Sequence, residues 1–184
     1  MREPPFPYTL LKSVPLGRYR IDLAQLETLQ GPSPYSVVRM RPFACCVASV
    51  DGRLALVRQY RYAVDSWQLE LPAGGIDAGE SPAEAARREL REETGYVASE
   101  LVSLGMVYPS AGSTDEECHI FATRCGGESL APVFDRGEQC ELVLVDRAEA
   151  ERLMDDGTIA YVPLYVAWMR LQRMGLLDDL FPYV

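Results

Sequence analysis

Short apolar runs separated by glycine, proline and aspartate turns fill the first sixty residues. Arg18–Leu29, Tyr35–Met40, Phe43–Val50 and Arg53–Tyr60 are rich in Val, Leu, Ile and Tyr and predict strands. Asp51-Gly52 stands between the last two, so residues 43–60 predict a hairpin closed by a tight two-residue turn in which glycine accepts a positive φ. Gly31-Pro32-Ser33-Pro34 interrupts the pattern and predicts a linker, dividing an N-terminal strand subregion (1–34) from the main domain (35–184). A Gly/Pro-rich loop is expected from Pro72 to Gly79, a helix from Pro82 to Thr94, and strands at Leu101–Tyr108, Cys118–Thr123 and Leu142–Val145. Two helices close the chain. Asp146 caps the first, with Glu149 at the capping-box position and Gly157 at its end, and Pro163 opens the second, which runs to about Met174. Strands with helices interspersed in this unequal order predict an α/β fold, a mixed sandwich instead of a regular βαβ winding.

Composition narrows the function classes. A chain of 184 residues, 48% hydrophobic, closes one good core. A net charge of -9 argues against a nucleic-acid partner, and an anionic substrate would need arginines or a metal ion for local compensation. The five cysteines form no C-x-x-C pair, and Met1–Leu11 holds three prolines and no long apolar run. Reduced thiols, a cytoplasmic location and no membrane partner are therefore expected.

The helix at 82–94 carries the most informative chemistry. Ser81-Pro82-Ala83-Glu84 is a capping box with proline at the first helical position, and Gly95 follows the last turn. Ala83, Ala86, Leu90 and Thr94 share one stripe; Glu84, Arg87, Arg88 and Arg91 fill the arc on one side, and Glu89, Glu92 and Glu93 fill the other. Glu89 and Glu93 stand four residues apart, where like charges repel by a few tenths of a kcal/mol unless a hard cation such as Mg²⁺ or Mn²⁺ lies between them. Glu92 is placed to pair with Arg88 and is expected to be a secondary ligand. A solvated, ion-paired surface would interleave its charges, whereas this helix segregates them beside a glycine-bearing loop.

Gly74, Glu80 and the run Arg88-Glu89-Leu90-Arg91-Glu92-Glu93-Thr94-Gly95-Tyr96 reproduce the spacing of the Nudix box, G-x5-E-x7-R-E-U-x-E-E-x-G-U, with Tyr96 in place of the last aliphatic residue. The chain thus resembles the Nudix hydrolases. That resemblance implies a Nudix fold, an α/β/α sandwich around a mixed sheet, here with a small N-terminal β subregion. Val57-Arg58-Gln59-Tyr60-Arg61, Glu70-Leu71-Pro72-Ala73-Gly74 and Gly112-Ser113-Thr114-Asp115-Glu116 are similar to the flanking segments of ADP-ribose pyrophosphatases and related nucleoside-diphosphate-sugar hydrolases. Ser110-Ala111-Gly112 departs from that group, which usually has Ser-Pro-Gly before the Thr, and the proline here stands at Pro109.

The resemblance implies roles for individual residues. Glu89, Glu93 and the main-chain carbonyl of Ala73 would be metal ligands, with Glu92 assisting; Arg88 would orient the glutamates, and Glu80 would either brace the loop or join the metal. Arg61 would contact substrate phosphates, where a planar guanidinium donates two hydrogen bonds at once. Arg58, Glu70, Gly112 and Glu116 are further substrate-binding candidates, although Arg58 also reads as an edge-strand charge and Glu116 as part of a solvated acidic loop. Glu138, in the loop Asp135–Glu141, is the candidate base or extra ligand, and Glu141 is the second. The expected activity is Mg²⁺-dependent (Mn²⁺ as the alternative) cleavage of a nucleoside diphosphate-linked small molecule by a homodimer. The readings left beside it are a dinucleoside polyphosphate hydrolase and a nucleotide-binding regulator without catalysis.

Overall fold

The computed structural model describes residues 5–126, 129–131 and 140–183. The chain forms two compact units: Met1–Arg41 with Tyr108–Glu117, and Pro42–Val107 with Cys118–Val184. In the first unit, β1 (Tyr8–Leu16), β2 (Tyr19–Thr28) and β3 (Gly31–Arg39) form an antiparallel sheet in that order. The proline-bearing segment 31–34 is not a linker. It opens β3 and pairs with Gln25–Thr28, which is possible because β3 is an edge strand and the missing proline N–H groups cost no ladder bond. β1 had no alternating pattern to announce it, since nearly all of it is exposed. Asp22, buried in β2, holds this unit together by accepting from Ser13 Oγ at 2.7 Å and from Arg39 Nε at 2.7 Å.

The second unit is built on a seven-stranded mixed sheet. β10 (Cys140–Val145), β5 (Arg53–Arg61), β4 (Phe43–Val50), β9 (Cys118–Cys125) and β8 (Val102–Val107) run in that order. β4 and β9 are parallel and the other pairs antiparallel. The 43–60 hairpin turns on Asp51 (φ 50°) and Gly52 (φ 78°), the left-handed pair that a two-residue turn requires. Two short strands were not evident from the sequence: β6 (Ser66–Glu70) pairs with β5, and β7 (Ala73–Gly75) pairs with β4.

Helices cover both faces of this sheet. α1 (Pro82–Thr94) packs Ala85, Ala86 and Leu90 on Ala44, Cys46, Ala48 and Ala55. On the other face α2 (Arg147–Asp155), α3 (Val162–Met174) and α4 (Leu177–Leu180) pack on Cys45, Val47, Leu54 and Leu56. The layers are therefore α/β/α, as the residue pattern and the box implied. Asp146 caps α2 through the Glu149 amide, but Glu149 turns its own carboxylate to Arg152, so only half of the expected capping box forms. No helix among the described residues is long and apolar enough to cross a membrane.

α1 ends at Gly95, whose φ of 75° continues into a close approach of residues 129–130: a Cβ there would lie 1.9 Å from the Leu130 carbonyl oxygen. Gly157 has φ 78° and open space around it. Gly157→Ala should therefore cost only the left-handed backbone term, about 1–2 kcal/mol. Gly95→Ala should cost clearly more, because the clashing partner is backbone; thermal melts of the two variants in parallel test this, and equal losses would show that the clash is relieved without cost.

Candidate active site

β4 places the glycine-bearing loop. Its first three residues pair with Gly75, Gly74 and Ala73, while its last three pair with β5. The loop backbone is thereby laid beside α1, whose capping box is complete: Ser81 Oγ accepts from the Glu84 amide and Glu84 accepts from the Ser81 amide. Glu93 is 5% exposed, and its Oε2 accepts the Ala73 amide at 2.9 Å. Glu89 lies over Gly74 so closely that a Cβ on Gly74 would stand 2.1 Å from its Oε1. Two carboxylates one helical turn apart thus reach consecutive loop residues below the surface.

Arg88 locks loop to helix. Its Nε and Nη2 donate to the two oxygens of Glu80 at 2.9 Å each, Nη2 donates to the Gly75 carbonyl at 2.9 Å, and Nη1 donates to Glu89 at 2.6 Å and Glu92 at 3.1 Å. Arg88 starts from the arginine-bearing arc of the helix, and its long side chain crosses to Glu89 and Glu92 on the other arc. Glu80 also accepts the Asp77 amide at 3.0 Å. The Arg88 hydrogen bonds, and then that amide, hold its carboxyl below the usual range. Both Glu80 oxygens are used in bracing the loop.

Arg61 and Glu70, both read from the sequence as substrate contacts, are joined to each other. Arg61 Nε donates to both Glu70 oxygens at 2.9 and 3.1 Å, and Nη2 completes the fork on Oε2. Arg58 is not an edge charge, since β5 is flanked by β10 on one side and by β4 and β6 on the other. It lies 4.6 Å over the Trp67 ring and pairs with exposed Glu141 at 3.3 Å, which engages the second base candidate in a surface ion pair. In the first unit Gly112 accepts from the Tyr35 hydroxyl at 3.4 Å, and burial raises the pKa of Glu116 while Arg18 lowers it. Glu138 lies outside the described residues.

One neighbour was missed by the sequence reading. Cys140, at the start of β10, points its thiol at Glu93 Oε1 over 3.9 Å; nothing in the primary sequence relates β10 to α1.

Among the described residues no three His, Cys, Asp or Glu side chains form a ready metal cage. The donors do fit a hard cation of the Mg²⁺ type, which takes one or two carboxylates and fills its remaining positions with water and substrate phosphate oxygens. Glu89, Glu92 and Glu93 offer carboxylate oxygens, and the Gly74 hollow keeps Glu89 beside the loop.

Comparison with known proteins identifies the family and the fold. The NUDIX domain matches residues 38–165. The chain belongs to the Nudix family. It is an enzyme of the Nudix pyrophosphatase kind. An ADP-ribose pyrophosphatase of Bacillus subtilis (strain 168) is 31% identical over 153 residues, 77% of this chain and 80% of that protein. The ADP compounds hydrolase NudE of Escherichia coli (strain K12) is 44% identical over 70 residues, 36% of this chain and 38% of that protein. A crystal structure of an ADP compounds hydrolase superposes with a TM-score of 0.77 at 28% identity, covering 92% of this chain and 96% of that one.

Gly74→Ala should displace the Glu89 carboxylate and leave the sheet intact, because the clash falls on the end of a flexible side chain. Turnover should fall at least about tenfold, equivalent to roughly 1.4 kcal/mol of transition-state stabilisation, with an unchanged melting profile. A variant with native turnover would show that the position of Glu89 over the loop is immaterial.

Proposed function

We propose that this enzyme hydrolyses the diphosphate of ADP-ribose or a related nucleoside diphosphate sugar, releasing a nucleoside monophosphate and a sugar phosphate. The observation that carries the reading is the convergence of Glu89 and Glu93 on Ala73 and Gly74, with Arg88 holding Glu89 and the Ala73 amide holding Glu93. Glu89 and Glu93 would hold Mg²⁺ or Mn²⁺, with Glu92 and the Ala73 carbonyl assisting. A bound cation of this kind supplies charge relief on the non-bridging oxygens and a more acidic water. Arg61 would grip the diphosphate through its Nη1 side, which takes no part in the Glu70 fork; Glu70 fixes the plane of the guanidinium. Glu138 is assigned the role of base.

The similarity to proteins named ADP-ribose pyrophosphatase and ADP compounds hydrolase supports an ADP-containing substrate. Ser110-Ala111-Gly112 departs from the usual Ser-Pro-Gly and makes the sugar the open variable. A panel of ADP-ribose, ADP-glucose, GDP-mannose and a dinucleoside polyphosphate, assayed for nucleoside monophosphate, tests the assignment: the nucleoside diphosphate sugars should turn over fastest, and exclusive use of the dinucleotide would overturn it.

Activity should vanish in excess EDTA and return with Mg²⁺ or Mn²⁺. Glu93→Gln should lower kcat by several orders of magnitude with the fold preserved. A near-native rate in that variant would reduce the glutamate cluster to a solvated surface.

The assembly proposed is a homodimer in which the N-terminal strands of each copy cover the other and help to form its substrate pocket. Its support is the apolar surface of β1 and its surroundings, where Leu10, Leu11, Leu16 and Leu29 are all more than half exposed. Sedimentation equilibrium of the intact chain should give twice its 20.5 kDa. Leu10→Glu with Leu16→Glu should return the monomer and weaken substrate binding together; a monomeric parent protein would remove the proposal.

A further inference from the structure

α3 is apolar on two sides. Leu164, Ala167 and Leu171 are buried against the sheet, which accounts for one face. Val162, Tyr165 and Met169 follow one another at helical spacing on another and are 52%, 41% and 45% exposed. A helix of a water-soluble surface carries polar residues there, so a second apolar stripe is a face without a partner. Beside it lies a cleft of about 430 Å³ between α2, α3 and the chain's last described residues, lined by Tyr165, Met169, Met154 and Trp168 with Glu151 and Asp155 at its border. Methionine side chains adapt their shape to what covers them and suit a surface that binds an apolar segment.

The charges of this cleft indicate what would cover it. Arg147 is the one cation among the described residues lining it. Its guanidinium is committed: it donates to Glu151 at 3.0 Å, to the carboxylate of Asp178 and to the Phe181 carbonyl at 3.3 Å, and it lies 4.0 Å over the Tyr183 ring. Glu151 is likewise filled, accepting from Arg147, from the Tyr183 hydroxyl at 2.7 Å and from Trp168 Nε1 at 3.4 Å. Asp155 is exposed, and the Asp178 side chain is 88% exposed even while paired. Glu151 and Asp155 line the cleft against the single Arg147, and Asp178, paired with Arg147, adds a third carboxylate next to the lining residue Leu177, so the apolar floor is bordered by excess negative charge.

We propose that this cleft is a docking groove for a basic amphipathic helix of a partner protein, its apolar residues seated on Tyr165 and Met169 and its lysines or arginines beside Asp155 and Asp178. Apolar anchors at helical spacing with a complementary charged rim are the elements of helix-in-groove recognition. The groove lies on the α2–α3 face of the sheet, while Glu89 and Glu93 belong to α1 on the opposite face. Docking is thus independent of the hydrolytic assignment.

The test uses the full chain and a synthetic peptide of about 18 leucine and lysine residues patterned as an amphipathic helix, with a scrambled peptide of equal charge as control. Calorimetry should show saturable binding of the patterned peptide alone. Met169→Glu should weaken it at least about tenfold while hydrolysis and melting temperature stay unchanged, and Asp155→Lys should weaken it severalfold. Met169→Glu adds negative charge, so mere adherence of a cationic peptide to an acidic protein would be unaffected by it or strengthened. No saturable binding, equal binding of the scrambled peptide, or undiminished binding in Met169→Glu would each overturn the proposal. Self-association of the chain that Met169→Glu abolishes, with no peptide binding, would assign the face to a second copy and would equally overturn it. Should Met169→Glu fail to fold, undiminished binding in Asp155→Lys would overturn the charged half of the recognition.

Discussion

The guanidinium of Arg88 is the contact on which the rest of the site depends. It donates to Glu80, Glu89, Glu92 and the Gly75 carbonyl, so one side chain ties the loop that precedes α1 to the helix itself. Charge-assisted hydrogen bonds of this sort are about twice as strong as neutral ones, and a planar donor fixes direction as well as distance. Without it, Glu89 and Glu93 would be two like charges one turn apart at the border of a packed face, in an arrangement that a bare helix disfavours. With it, Glu89 is held beside Gly74, while the Ala73 amide holds Glu93, and preorganisation of this kind would lower the cost of binding the proposed cation.

The sheet supplies the second constraint. β4 divides one edge between two partners, β7 at its start and β5 at its end, and β5 in turn passes from β4 to β6 along its length. Sheet hydrogen bonds therefore set the position of Ala73–Gly75 directly. Arg61 and Glu70 belong to the same divergence, on β5 and β6, and form their ion pair across it. α1 reaches this place because Leu90 and its alanines bury against Ala44, Cys46 and Ala48, small residues that let the helix approach closely. Burial of Leu90 alone contributes roughly 1.5–3 kcal/mol. The helix can then carry Glu93 into a 5% exposed position, where the Ala73 amide offsets part of the desolvation cost.

The two faces of the sheet serve different ends. α1 brings the charged cluster to one side, and α2 and α3 close the larger apolar core on the other. The aromatic stack of Trp168 on Phe181, with Arg147 reaching Asp178, the Phe181 carbonyl and the Tyr183 ring, fixes residues 178–183 to that second side. The cleft bordering α3 is a product of this closure. It owes its apolar floor to a helix whose polar positions are too few to cover the side turned away from the core.

Local sequence was sufficient for whatever depends on neighbouring residues. Capping boxes, glycine at helix ends, the Asp51-Gly52 turn and the spacing of Glu89 and Glu93 are interactions within a few positions, so α1, the 43–60 hairpin and the segregated carboxylates could be read from the residues in order. Tertiary structure alone decided what depends on partners outside the segment itself, near or far along the chain. β6 and β7 exist because β5 and β4 offer edges to them, and residues 31–34 are strand instead of linker because β2 pairs with them. Arg61 meets Glu70, Arg58 meets Glu141 and Cys140 approaches Glu93 through strand and helix placement that no local pattern encodes. The β2–β3 and β5–β6 hairpins close over a few residues and lacked only a clear alternation to mark them, whereas the β4–β7, Arg58–Glu141 and Cys140–Glu93 pairings require long-range closure, which is entropically costly and is selected by the burial of the whole core.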